Sequence, residues 1–146
     1  MSAEGFSAAD LLDAAMAAAL NAPLSRKKAM LVALLVDAAL DEAFAGQTGG
    51  DDILTFREER ASRSEALRLV LDIAAMREDG PKLVLDAVEV PIRDYGSLKV
   101  EDFMVSLYND HTVQRVRIAL PDGRRRDALE VLAEAVRAVL PKSPSP

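Results

Sequence analysis

Cysteine is absent from the chain, and histidine occurs once, at position 111. These two gaps exclude disulfides, thiolate zinc and iron–sulfur ligation, a cysteine nucleophile and a multi-histidine metal site built from one chain. Tryptophan is missing as well, and aromatic side chains make up only 4% of the residues although half are apolar. The core must therefore be built from alanine, valine and leucine, and small residues let helices approach closely.

Long apolar runs are also lacking. The longest, residues 29–36 (Ala-Met-Leu-Val-Ala-Leu-Leu-Val), is far short of the roughly 20 residues that span a bilayer. The alanine-rich stretch 14–20 is preceded by Glu4, Asp10 and Asp13, where a secretory leader needs Lys or Arg. A cytoplasmic protein with no membrane span is expected. Gly49-Gly50 is followed by acids instead of the Lys-Ser or Lys-Thr of a phosphate cradle, and no serine sits in a Gly-x-Ser-x-Gly elbow. The paired acids Asp51-Asp52, Glu58-Glu59 and Glu78-Asp79 do not have the alternating spacing of a calcium loop, and solvated helix faces and caps explain them. No metal and no cofactor are expected.

What remains is a chain of 146 residues, enough for a single domain that buries roughly two thirds of its unfolded surface. Its 18 basic and 24 acidic side chains give a net charge of -6, unevenly distributed. Residues 1–23 carry three acids and no base, residues 24–80 carry eleven acids against eight bases, and residues 81–146 balance at ten of each. Arginine outnumbers lysine 13 to 5, and with the abundant alanine this composition suits a bacterial genome rich in GC.

The pattern along the chain predicts an α+β domain over residues 1–140, with a helical part to residue 80, then strands and a terminal helix, and a disordered tail at 141–146. Ser7 can cap a first helix running to about Asn21, with Phe6 and Leu11 as a hydrophobic staple and Pro23 as its stop. A second helix runs from Ser25 to Gly46. Its middle is apolar on every face, as befits a central core helix or one shared between two subunits. Arg26, Lys27 and Lys28 in its first turn oppose the helix dipole and read as a solvated end. Asp51 or Asp52 can cap a short helix carrying Ile53, Leu54 and Phe56. Ser62-Arg-Ser-Glu65 matches a capping box for a further helix, ending at Asp79-Gly80-Pro81.

Three or four helices are thus followed by a small three-stranded antiparallel sheet. Residues 82–92 form an edge strand, since Pro91 bars a central one. Residues 112–120 alternate, with Val116, Ile118 and Leu120 on one face and Arg115 and Arg117 on the other. Residues 100–108 fit either a strand or a helix, the strand being preferred because a short polar turn leads from it into a β-branched run. Pro121-Asp122-Gly123 makes a turn, and a C-terminal helix carries Ala128, Leu129, Leu132, Ala135, Val136, Val139 and Leu140 as one stripe.

Three readings of function follow. The first is a protein-interaction or regulatory module, adaptor- or chaperone-like, resting on the charge asymmetry and on two surfaces. One is the basic hairpin Arg115, Arg117, Arg124, Arg125 and Arg126; the other is the over-apolar helix with Leu31, Leu34 and Leu35, which a homodimer could cover. The second is a small enzyme using His111 as acid or base, oriented by Asp110 or Asp102, against which stands the ordinary use of Asn109, Asp110 and His111 as turn residues. The third is RNA or DNA binding through the basic hairpin, disfavoured by the net acidity and the missing base-stacking aromatics.

Overall fold

A computed structural model describes residues 6–45, 52–89 and 112–140. In it, α1 (Ala8–Leu20), α2 (Arg26–Ala45), α3 (Ile53–Ser62) and α4 (Glu65–Ala74) precede β1 (Lys82–Glu89), β2 (Thr112–Ala119) and β3 (Arg125–Asp127), and α5 (Ala128–Val139) follows. The strands form one antiparallel sheet in the order β1-β2-β3. This is the expected architecture of helices, then a small sheet, then a closing helix.

Local chemistry sets the helix starts. Ser7 accepts from the Asp10 N–H at 3.0 Å, and the Asp10 carboxylate accepts from the Ser7 N–H at 3.1 Å, a reciprocal capping box. The expected staple does not form: Phe6 is 80% exposed and Leu11 41%. Glu42 of α2 replaces it, accepting from the Ala8 and Ala9 N–H groups at 2.7 and 3.3 Å, so α2 itself satisfies two orphan donors of α1. Asp52 and Asp127 cap α3 and α5, accepting from the Thr55 and Glu130 N–H groups at 2.8 and 2.9 Å.

The start of α4 differs from expectation. Ser62 stays in the last turn of α3, its hydroxyl donating to the Glu59 carbonyl at 2.6 Å, and the cap is Ser64, which accepts from the Leu67 N–H at 3.1 Å. The end differs too. α4 stops at Ala74, before the Asp79-Gly80-Pro81 breaker, because the next positions on its buried stripe are Arg77 and Glu78. Met76 then takes a left-handed conformation, φ 53°.

α2, with 20 residues and a length of about 30 Å, runs through the middle of the molecule and packs against α1, α3, α4, α5 and β1. Its inward stripe is Ala29, Val32, Ala33, Val36, Ala39 and Leu40. Ala29 and Ala33 of α2 and Ala128 and Ala135 of α5 have no exposed surface, which lets the helix backbones come close. Ile118 and Val116 of β2, opposite Leu83 and Leu85 of β1, present one face of the sheet; Ile118, Val116 and Leu83 join the helical core, while Leu85 stays exposed.

The third strand corrects one reading. The sheet is completed by three residues, Arg125–Asp127, that looked from the sequence like part of a basic turn. In that turn the Leu120 N–H donates to the Arg124 carbonyl and the Gly123 N–H to the Leu120 carbonyl, both at 2.9 Å. Gly123 has φ +93°, a conformation that costs glycine little. The ambiguous segment 100–108, the strand beyond residue 89 and the tail 141–146 lie outside the described residues.

Among the described residues three carboxylates sit below their ordinary pKa. The Thr55 backbone N–H, then its hydroxyl, lowers Asp52; the Arg68 guanidinium lowers Glu58; the Arg124 backbone N–H, then its side chain, lowers Asp122. Each of these groups binds fewer protons folded than unfolded. Their contribution is therefore complete well above the ordinary values of 3.8 and 4.5 and disappears as pH falls through the lowered ones. The triple variant Asp52→Asn, Glu58→Gln, Asp122→Asn should lose less stability than the parent on acidification from neutral pH to about pH 3. Urea midpoints across that range test it, and an acid limb of unchanged slope would count against it.

Candidate functional site

Ser25 accepts from the Lys28 N–H at 3.1 Å through its hydroxyl and from the Ala29 N–H at 3.2 Å through its carbonyl, so α2 begins with Arg26. Arg26 and Lys27 are exposed, while Met30, one turn on, is half-buried. On the other side, α4 ends with the Met76 N–H donating to the Ile73 carbonyl at 3.0 Å, and a second tight turn closes with the Gly80 N–H on the Arg77 carbonyl at 3.1 Å. That turn delivers the buried Pro81 and the start of β1. The Lys82 ammonium donates to the Arg77 carbonyl, while the Arg77 guanidinium turns to Asp72 at 3.1 Å.

Between these elements lies an open cleft of about 340 Å³. Met30 and Ile73 with Met76, Pro81 and Leu83 supply apolar walls; Arg26, Lys27 and Lys82 are its charged lining residues. Among the described lining residues all three charged groups are cations, drawn from two elements. Its size falls at the lower end of ordinary ligand clefts, and methionine side chains adapt to differently shaped occupants. Met76 is 62% exposed and holds a left-handed backbone at the position after a helix cap, where glycine is the favoured residue.

Two other recesses are internally neutralised. One of about 210 Å³ between α3 and α4 contains Arg57 and Arg68. Arg68 pairs with Glu58 at 2.6 Å, and Arg57 bridges Asp37 and Asp41, the latter at 2.7 Å. Burial disfavours the Arg57 cation, but the hydrogen bonds and charges of Asp37 and Asp41 outweigh it and hold its pKa above the ordinary value. A shallower depression of about 500 Å³ over α3 is lined by Leu54, Thr55, Glu58 and Glu59. Both of its acids are paired, Glu58 with Arg68 and Glu59 with Arg63.

The basic hairpin is tied into the fold. Arg124 binds Asp122 at 2.7 Å, Arg125 reaches Asp86 of β1 at 3.1 Å, and Arg126 reaches Glu65 of α4 at 2.7 Å. Arg115 lies opposite Asp86 and donates to the Gln114 carbonyl at 2.8 Å. Arg117 lies between Val84 and Asp127, its Nε buried without a hydrogen-bond partner. Leu31 and Leu34 are 52% and 38% exposed on α2, and Leu35 packs against the core. His111, Asp110 and Asp102 lie outside the described residues. Among the described residues no three Asp, Glu or His side chains are grouped to hold a metal ion, and no helix is long and apolar enough to cross a membrane.

Sequence reasoning missed the cleft although one signal was present. Three cations at the start of a helix, with no acid in the first turn, run against the dipole. Nothing in the sequence brought Lys82 to their side or gave Met76 its backbone conformation. The chain matches no known protein family, no curated protein and no solved structure.

Proposed function

We propose that the chain is a non-enzymatic protein-interaction module, adaptor-like in kind, whose receiving surface is the cleft between the start of α2 and the start of β1. The observation that carries this reading is the composition of that cleft, adaptable apolar walls rimmed by exposed cations, with Met76 held out into solvent by a strained backbone. The ion pairing of Arg124, Arg125 and Arg126 within the chain supports a protein partner over a nucleic acid, because it leaves less free positive charge on the hairpin. A cytoplasmic setting in a bacterium belongs to the same proposal, supported by the arginine and alanine bias of the sequence. So does self-association, which the exposed Leu31 and Leu34 favour.

Photo-crosslinking in cells tests it. A benzophenone amino acid placed at Met30 or at Met76 should give the same discrete protein adduct, and one placed at the exposed Glu134 of α5 should not. An adduct of twice the chain's own mass identifies a second copy, and any other mass a different protein. If neither cleft position yields a protein adduct, the reading is wrong.

A further inference from the structure

Several cations of the described surface have a carboxylate at hand, namely Arg57, Arg63, Arg68, Arg77, Arg124, Arg125 and Arg126. Arg26 and Lys27 have no such partner among the described residues, and the Lys82 ammonium is engaged only by a neutral carbonyl, through one of its three N–H groups. These three line one cleft, in a chain whose net charge is -6. Two locally unfavourable choices also meet there. Arg26 and Lys27 sit at the end of α2 where the dipole disfavours cations, and Met76 occupies a left-handed position that glycine would fill without strain. The fold would be better served by other residues at all three sites.

Resting on the interaction reading above, we infer that the cleft takes an acidic, apolar segment of a partner polypeptide. One or two apolar side chains seat against Met30, Ile73, Met76 and Leu83, and flanking Asp or Glu side chains meet Arg26, Lys27 and Lys82. A purely ionic ligand would leave the apolar wall wet, and an uncharged one would leave the cations unused. Among the described residues no aromatic side chain lines the cleft to stack a nucleic-acid base. The net charge of -6 disfavours non-specific binding of such a segment.

The test is selection of a random peptide-display library on the full chain, followed by affinity measurement of the selected peptides. Enriched peptides should carry Asp or Glu beside Leu, Ile, Phe or Met, compete for one site and weaken as salt rises. The double variant Arg26→Glu, Lys27→Glu should reduce their affinity by about tenfold or more, and Met76→Gly should reduce it too. Both variants should unfold at the same or a higher denaturant concentration than the parent, whereas a structural role for these residues requires the opposite. Enrichment of neutral or basic peptides, absence of enrichment, or affinity indifferent to the charge reversal would each overturn the inference. So would tight binding of a single-stranded RNA oligomer abolished by the same double variant. If cleft crosslinks to a protein persist while the selected peptides are not acidic, the interaction reading stands and only the charge preference falls.

Discussion

Leu132→Ala should lower the free energy of unfolding by about 3 kcal/mol. Leu132 has no exposed surface and lies on α5, which packs against α1, α2, α4, β2 and β3. Truncation loses the transfer energy of the deleted methyl and methylene groups, about 0.8 kcal/mol each, and leaves a cavity. Surrounded on several sides by regular elements, the site has little freedom to collapse, so the cavity contribution persists. For a chain of this size that corresponds to a fall in Tm of about 10 °C, readable by circular dichroism. Leu129→Ala, half-buried on the same helix, provides the comparison and should cost clearly less. Equal costs at the two positions would mean that α5 does not organise the core.

Ala33→Leu should destabilise by about 2 kcal/mol for the opposite reason. Ala33 is fully buried in the stripe of α2 that also carries Ala29, and fully buried alanines on α5 match them. Where helices approach through alanine, added methylene groups have no void to occupy, so either the backbones separate or the side chain leaves its preferred rotamers. Ala38→Leu, on an exposed position of the same helix, controls for helix propensity and should leave the urea midpoint nearly unchanged. A stable Ala33→Leu variant would show that the α2 seam is loosely packed.

The helices and their order were legible in the sequence because their signals are local. Ser7 with Asp10 and the apolar stripe of α5 each lie within a few residues and are found where the spacing placed them, and of the two acids offered as the α3 cap, Asp51 or Asp52, it is Asp52 that accepts from Thr55. Errors arose where a competing local bond or a nonlocal partner decided the outcome. Ser62 bonds back to Glu59 and so cannot cap α4; Phe6 finds no partner because Glu42, far along the chain, already secures α1. β3 is three residues long and exists only through pairing with β2, so no periodicity announces it. The cleft was hidden for the same reason. Arg26 and Lys82 lie 56 positions apart in the sequence, and only the packing of α2 beside β1 makes them neighbours. The arginines that looked most like a site were, by contrast, assigned partners such as Asp86 and Glu65 that no linear pattern could reveal.

α3 is fastened differently from the other helices. Only Phe56 and Ala61 of its residues are buried. Its remaining attachments include the bridge from Arg57 to Asp37 and Asp41 of α2, the pair of Glu58 with Arg68 of α4 at 2.6 Å, and the edge-to-face meeting of Phe56 with Phe44 at 5.4 Å. The ion pairs among these are screened by salt, and attachments so few confer little cooperativity with the interior. α3 should therefore exchange as a separate unit, its amides reaching solvent through detachment of the helix alone, while those of α2 and α5 wait for the whole molecule to unfold.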